Sequence, residues 1–174
     1  MLSFYVRDLL LHAAKVDGSL GADDPVWQEG DPTPSQPIRV TGRLSQAGPG
    51  RFYFSGQMEG AAAMECRRCL TDVEVKVGDD LHLLFAEADA GDEGEDDDPD
   101  VYLIDHRTQE VDLRQAVREA WVLSIPPFAL CRDDCEGICP RCGADLNAGA
   151  CGCPPESVTD GRWEALRNVR DLSE

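Results

Sequence analysis

The sequence has few basic residues and few histidines for its length. It carries 16 Lys and Arg against 34 Asp and Glu, with 3 His, for a formal net charge of −18 over 174 residues. A chain this acidic is repelled by bare nucleic acid at long range, because neutralised phosphates supply most of that affinity. A basic protein is therefore a better fit as partner than free nucleic acid, and the alternative is that the acidity only keeps the protein soluble.

Long apolar runs are also missing, and this excludes a membrane-spanning helix from the expected structure. The first residues, MLSFYVRDLLLHAAK, are interrupted by Arg7 and Asp8, and no small-residue cleavage site follows. This is not the pattern of a secretory signal. We therefore predict a cytoplasmic protein, in which closely spaced cysteines bind metal more often than they form disulfides.

The usual catalytic patterns are absent from the sequence. His12, His82 and His106 are scattered, and there is no nucleophile–base pair, glycine-rich phosphate loop or paired-carboxylate motif. Residues 87–100 hold nine acids and no base. They lack the glycine placement and closing Glu of a calcium loop, and like-charge repulsion predicts a disordered acidic loop. The sequence thus favours a non-enzymatic protein.

What the sequence does contain is eight cysteines in four closely spaced pairs. Six of them fall within the 23 residues CRDDCEGICPRCGADLNAGACGC. The pairs are Cys66 with Cys69, Cys131 with Cys135, Cys139 with Cys142, and Cys151 with Cys153. In Cys139-Pro-Arg-Cys142-Gly, the proline stiffens the turn and the glycine lets it close, which is the form of a zinc knuckle. Eight such thiols match two structural four-thiolate Zn²⁺ sites.

Several groupings of these cysteines fit the spacing. The preferred one places Cys139, Cys142, Cys151 and Cys153 on one ion and Cys66, Cys69, Cys131 and Cys135 on the other. A single site built from four of the six tail cysteines would instead leave Cys66 and Cys69 free. An iron site of rubredoxin type at CPRCG, or thiol–disulfide chemistry at Cys66-x-x-Cys69, are weaker alternatives.

The rest of the chain predicts an α+β protein. Alternation of apolar and polar residues around Ile38–Leu44, Phe52–Met58 and Val73–Val77, with turns at 47–50 and 78–80, predicts an antiparallel β meander or a partly closed barrel. Residues 9–14 are predicted as a helical turn, 17–37 as irregular and 101–104 as a short strand. Helical spacing after Asp112, a candidate N-cap, predicts one packed helix near 112–125 that ends at Pro126-Pro127.

These predictions divide the chain into two parts. Residues 1–130 form the β domain, and residues 131–174 form a cysteine-rich, zinc-ribbon-like tail with a short helix at 162–169. The tail holds five arginines against nine acids and has no basic stripe. Arg67 and Arg68 add only two charges that a phosphate could meet, so the sequence gives little support for direct nucleic-acid binding.

The cysteine motifs resemble those of the zinc-type members of the YceD family, the large ribosomal RNA subunit accumulation proteins of bacteria and plastids. The similar segments are the tail from Cys131 to Pro155, Cys66-Arg-Arg-Cys69-Leu70 after a β meander, Leu123-Ser-Ile-Pro-Pro, and Asp160-Gly-Arg-Trp163-Glu-Ala-Leu166. Gly161 departs from the proline that is usual in the family, which puts only the local turn in doubt.

The resemblance implies a role in accumulation of large-subunit rRNA, and hence in ribosome assembly, with a ribosomal protein or a large-subunit precursor particle as partner. It implies structural zinc and no catalytic residues. The main alternative is a thiol-redox or zinc-responsive regulatory protein, in which two cysteines would be unprotected and of low pKa. A third, an rRNA-processing nuclease, would need a catalytic site that the sequence does not show.

Overall fold

The computed structural model describes residues 1–87, 101–105 and 107–154. Its regular elements are, in chain order, β1 (Ser3–Tyr5), α1 (Val6–Leu9), β2 (Ala14–Leu20), β3 (Gln36–Gly48), β4 (Arg51–Glu65), β5 (Asp72–Glu87), β6 (Val101–Ile104), β7 (Glu110–Asp112), α2 (Arg114–Ser124) and a 3₁₀ turn (Leu146–Ala148).

Five strands form one sheet in the order β2-β3-β4-β5-β6. The first four are antiparallel neighbours, as a meander requires, while β6 pairs parallel to β5. A separate two-stranded sheet joins β1 to β7. The α+β class is therefore confirmed, and the five-stranded sheet stays open rather than closing into a barrel.

The β3–β4 hairpin forms as the alternation predicts. β3 ends at Gly48 and β4 begins at Arg51, with Gly50 at φ +63°, a conformation that glycine adopts without steric cost. Phe52 and Phe54 are buried on one face while Tyr53 and Ser55 point to the other. The predicted turn at 47–50 and the strands beside it are confirmed.

Three local predictions were wrong, one of them, the irregular segment 17–37, only at the ends of its range. Residues 14–20 form strand β2, which pairs with β3 along its whole length, although 9–14 were predicted helical and 17–37 irregular. Position 18 of this strand requires glycine, because the Met1 backbone and the Leu2 side chain occupy the space that a Cβ would fill. The turn predicted at 78–80 is also absent, since β5 passes straight through it opposite Met58 and Glu59.

Helix α2 covers the buried face of the sheet, and Trp121 is its central contact. The indole Nε1 donates to the carbonyl of Pro32 at 2.7 Å, and the ring occupies the space above Gly60 that a Cβ would fill. The predicted helix is confirmed near 112–125, but its N-cap is Leu113. The carboxylate of Asp112 instead accepts from the Arg114 backbone N–H at 3.0 Å.

Part of the predicted tail lies outside the described residues. This applies to the helix predicted at 162–169 and to all but the first residue of the acidic loop, since Glu87 is the last residue of β5. The division at residue 130 stays a prediction. Within the described part of the chain, no helix is long and apolar enough to cross a membrane.

Candidate metal centre

The eight cysteines come together in two groups of four, each with its Sγ atoms within 4.8 Å of one another. The sheet-side cysteine group contains Cys66, Cys69, Cys131 and Cys135. The tail cysteine group contains Cys139, Cys142, Cys151 and Cys153. This is the grouping that the sequence analysis preferred.

The first half of the sheet-side group is a tight turn at the end of β4. The backbone N–H of Leu70 donates to the carbonyl of Cys66 at 2.9 Å, and the N–H of Cys66 donates to Thr71 at 2.8 Å. Leu70 has a positive φ of 60°, an uncommon conformation for a residue with a branched side chain. These contacts fix Cys66 and Cys69 on the same side of the turn.

The other two cysteines of this group, Cys131 and Cys135, lie near the turn because the chain after α2 runs beside it. Cys66 and Ala129 form a parallel bridge, and the N–H of Arg67 donates to the Ala129 carbonyl at 2.9 Å. The Arg68 guanidinium donates to the carbonyls of Cys135 at 2.7 Å and Asp133 at 3.2 Å. The arginine thus fastens the tail to the sheet.

The tail group starts from a second turn with the same hydrogen bonds. The N–H of Gly143 donates to the Cys139 carbonyl at 2.9 Å, and the N–H of Cys139 donates to Ala144 at 2.8 Å. Gly143 has a φ of +72°, the position that Leu70 occupies in the first turn. The two C-x-x-C segments are therefore copies of one local structure, although only one of them contains proline and glycine.

The two groups are joined by a short contact region. Gly137 lies against the Arg68 backbone, where a Cβ would be 2.8 Å from the carbonyl oxygen, and the next N–H, that of Ile138, donates to the same oxygen at 3.1 Å. Asn147 of the tail places its amide Nδ2 3.6 Å from the Cys135 sulfur and accepts from the Glu136 N–H at 2.8 Å. The tail therefore orients a cysteine of the sheet-side group.

Sulfur–sulfur distances in the sheet-side group fit tetrahedral Zn²⁺. Four bonds of about 2.3 Å to sulfur place the ligands about 3.8 Å apart. The Sγ atoms of Cys66 and Cys135 are 3.8 Å apart, and those of Cys69 and Cys131 are 3.6 Å apart. A disulfide needs about 2.05 Å, so these thiols are spaced for a shared cation rather than for bonds to one another.

In both groups, backbone donors and neighbouring sulfurs shift the thiol pKa values in opposite directions. Backbone N–H donors, that of Cys69 foremost, lower the pKa of Cys66 to about 6, and the corresponding N–H of Cys142 lowers the pKa of Cys139 to about 6. Neighbouring sulfurs act in the opposite direction: Cys135 raises the pKa of Cys131 to about 12, and Cys142 raises that of Cys153 to about 12. Four thiolates this close repel, and a divalent cation relieves that repulsion.

Sequence reasoning found the cysteines but not the residues that support them. No role was predicted for Gly137, Thr71 or Asn147. Arg68 was considered as a phosphate contact, whereas the Arg68 guanidinium donates to two carbonyls of the tail. The Arg67 guanidinium lies 4.2 Å from the Phe128 ring centroid. One signal was present: in Asp145-Leu-Asn147, the Asp145 side chain accepts from the Asn147 N–H, an Asx turn that the spacing permits.

The histidines lie apart from both groups where they are described. His82 lies on β5, where its Nδ1 is 2.8 Å from the hydroxyl of Tyr53. His106 lies outside the described residues. A separate groove between β6, β7 and α2 is lined by Glu110, Asp112 and Glu119, and their carboxylates are hydrogen-bonded to Ser3, Arg114 and Tyr102 respectively.

The open sheet, its covering helix and the two thiol groups define a cysteine-rich α+β protein that can hold two metal ions. Residues 54–170 match the family described as Large ribosomal RNA subunit accumulation protein YceD. The chain therefore belongs to this family, as its motifs predicted. The matched range includes all eight cysteines.

Individual relatives agree with the family match. An uncharacterized protein of Mycobacterium tuberculosis is 36% identical over 113 residues, covering 64% of this chain and 52% of that protein. A chloroplastic homologue 1 of this accumulation protein in Arabidopsis thaliana is 32% identical over 111 residues, covering 59% of this chain and 34% of its own. The Zea mays counterpart is 28% identical over 153 residues, covering 72% of this chain and 51% of that protein. The chain thus spans about half the length of the mycobacterial relative, and no solved structure matches it at a significant level.

Proposed function

We propose that this protein supports accumulation of large-subunit ribosomal RNA as a non-enzymatic assembly factor in the cytoplasm. The observation that carries the proposal is family membership across residues 54–170, a range that includes β5, α2 and both cysteine groups. The plant relatives are named for the same role.

In this proposal all eight cysteines bind structural Zn²⁺, one ion in each group. The sulfur spacing and the N–H donors to Cys66 and Cys139 support it. Bound zinc would neutralise half of each four-thiolate charge and hold the chain ends of the group together. Arg68 holds the tail against the sheet, and Asn147 positions Cys135 within the tail.

The partner in this proposal is a basic ribosomal protein, free or within an early precursor particle. Charge supports this choice, since the chain carries −18. Exposed carboxylates of Glu59 and Asp80 lie on the solvent face of the sheet where β4 pairs with β5, while Asp79 points to the other face and accepts from the Ser124 hydroxyl of α2. Complementary charge speeds association and makes binding salt-sensitive. Binding to an isolated large-subunit protein that weakens steeply between 50 and 300 mM salt would support this part, and salt-independent binding would oppose it.

Depletion of the protein in its own host tests the function directly. Ribosomal particles are separated on a sucrose gradient, and large-subunit and small-subunit rRNA are quantified, with the small-subunit rRNA as internal control. We expect a selective loss of the large subunit that the wild-type gene restores. An unchanged ratio of the two rRNAs contradicts the proposed role.

Thiol titration separates structural zinc from the thiol-redox alternative. With structural zinc, all eight thiols are protected in the native protein and are released together with two zinc ions by a chelator. Two reactive thiols beside six protected ones would favour the regulatory alternative, because a sensor cysteine must stay accessible as a thiolate.

A further inference from the structure

On the solvent face of the five-stranded sheet, cross-strand neighbours form rows, and two basic side chains lie together in one of them. Strand register places Lys15, Arg43, Ser55 and His82 side by side across β2, β3, β4 and β5. All four are exposed, because the residues that alternate with them are buried. With neighbouring strands about 4.8 Å apart, this basic row is roughly 14 Å long.

The adjoining rows make the contrast sharper. On one side lie Ser45, Tyr53 and Leu84, followed by Arg51, and no acid is present in these positions. On the other side lie Asp17 and Asp80, and Glu59 lies one row further. In a chain with 34 acids and 16 bases, one end of this face thus holds no acid, while the other holds acids together with Arg39 and Lys76.

Two cations of the basic row are available for a partner. Arg39, on the same strand and the same face, lies 3.5 Å from Asp17. Lys15 and Arg43 form no ion pair with any residue in 1–87, 101–105 or 107–154. Both side chains are exposed, so binding an anion would cost little desolvation.

Beside these cations lies an ordered pair of rings. The rings of Tyr53 and His82 are nearly parallel, with planes 17° apart and centroids 6.1 Å apart. A hydrogen bond of 2.8 Å between the Tyr53 hydroxyl and His82 Nδ1 fixes their orientation, yet Tyr53 remains 38% exposed. Exposed aromatic rings on a sheet, flanked by cations, are the arrangement on which unpaired bases stack.

We propose that this face binds single-stranded RNA, with backbone phosphates at Lys15 and Arg43 and a base stacked on the Tyr53–His82 pair. A single strand fits best because a duplex hides the faces of its bases. An anionic membrane would use the cations but not the ring pair. The site lies on the sheet, apart from both cysteine groups, and it adds an RNA contact to the protein partner proposed above.

Fluorescence anisotropy of a labelled 12-nucleotide single-stranded RNA, titrated with the zinc-loaded full chain, tests the proposal. We expect a dissociation constant on the order of 10⁻⁵ M at 50 mM salt, as for other contacts that rest on few phosphates. The Lys15→Gln/Arg43→Gln double variant should bind at least tenfold more weakly. It should also flatten the salt dependence by about 0.7 in log–log slope for each cation removed.

Matched variants separate this site from general charge effects. Arg39→Gln removes a cation from the same face that is already paired, and it should leave affinity within about twofold of the wild type. Tyr53→Leu should weaken binding roughly tenfold, while Tyr53→Phe, which keeps the ring, should lose much less. Circular dichroism checks that every variant folds.

Three outcomes would overturn the proposal. They are absence of saturable RNA binding at 50 mM salt, a loss for Arg39→Gln as large as that for the Lys15→Gln/Arg43→Gln variant, and unchanged affinity in Tyr53→Leu. If Tyr53→Leu is unchanged and phosphatidylserine vesicles bind equally tightly, the face binds anionic surfaces rather than RNA. None of these outcomes bears on the rRNA ratio after depletion, so failure here and failure of the proposed function can be told apart.

Discussion

The sheet-side and tail cysteine groups begin with the same turn but are surrounded differently. In the first group Cys66 is fully buried at the end of β4, and 61 residues separate Cys69 from Cys131. The second group fits within the 15 residues from Cys139 to Cys153, and the described residues around it form no strand and only one 3₁₀ turn.

This difference teaches what each group depends on. The sheet and α2 already hold the two halves of the sheet-side group together, because the Cys66–Ala129 bridge and the Arg68 contacts involve backbone and guanidinium groups. Within residues 1–87, 101–105 and 107–154, the tail group has no comparable contact with the core. Its order should therefore depend on its metal, as in small zinc modules that do not fold alone.

The largest predicted effect compares the first cysteine of each turn. Cys66→Ser and Cys139→Ser should each remove one of two zinc ions. Cys66→Ser should also lower the free energy of unfolding of the sheet by about 4 kcal/mol, the linkage expected when free zinc exceeds its dissociation constant a thousandfold. Cys139→Ser should leave the sheet transition nearly unchanged. Zinc content and thermal unfolding by circular dichroism provide the measurement, and equal shifts would refute the comparison.

The next effect lies at the contact between the groups. Gly137→Ala should lower the free energy of unfolding by about 2 kcal/mol, because the residue has a φ of +81° and its Cβ would lie 2.8 Å from the Arg68 carbonyl. Gly143→Ala is the control, since it shares the positive φ at +72° but faces open space. Urea unfolding of both zinc-loaded variants measures the difference, and equal losses would mean that the contact contributes nothing.

A smaller effect concerns the amide that the tail extends to the sheet-side group. Asn147→Ala should weaken zinc binding about tenfold at that group alone, because a donor to the Cys135 sulfur is lost. Asn147→Asp, which can still accept from the Glu136 N–H, should weaken it as well if the sulfur contact is what matters. Competition with a chromophoric chelator reports both sites. Full affinity in Asn147→Asp would assign the role to the backbone contact instead.

The smallest effect exchanges the residues at the positive-φ position of the two turns. Leu70→Gly should raise the free energy of unfolding by about 0.5 kcal/mol, because relief of a φ of 60° slightly exceeds the added entropy of the unfolded chain. Gly143→Leu should reduce zinc retention in the tail group. Denaturant titrations of the two variants decide this, and a loss of stability in Leu70→Gly would show that its side chain is needed.

Local patterns predicted the parts of this fold that depend on near neighbours. The β3–β4 hairpin followed from alternation and from the glycines at 48 and 50, and α2 from its helical spacing. The cysteine pairs followed from the short spacing within each knuckle, which a turn of four residues can satisfy by itself.

The misses have a common physical cause. Strand β2 contains Gly18, and β5 contains Gly78-Asp79-Asp80, sequences that favour turns when considered alone. Both stay extended because a long neighbouring strand supplies hydrogen bonds on the other side. The parallel pairing of β6 likewise depends on β5 and not on Val101–Ile104 themselves.

The sequence by itself determined the class of protein, its acidity and the eight thiols suited to a metal, because composition and short spacings are local properties. Only the tertiary structure showed that Cys66 and Cys69 face Cys131 and Cys135, that Arg68 holds the tail, and that Lys15 and Arg43 share a row with His82. Those relations join residues far apart in the chain. They are set by strand register and by the packing of α2 on the sheet, which no local pattern encodes.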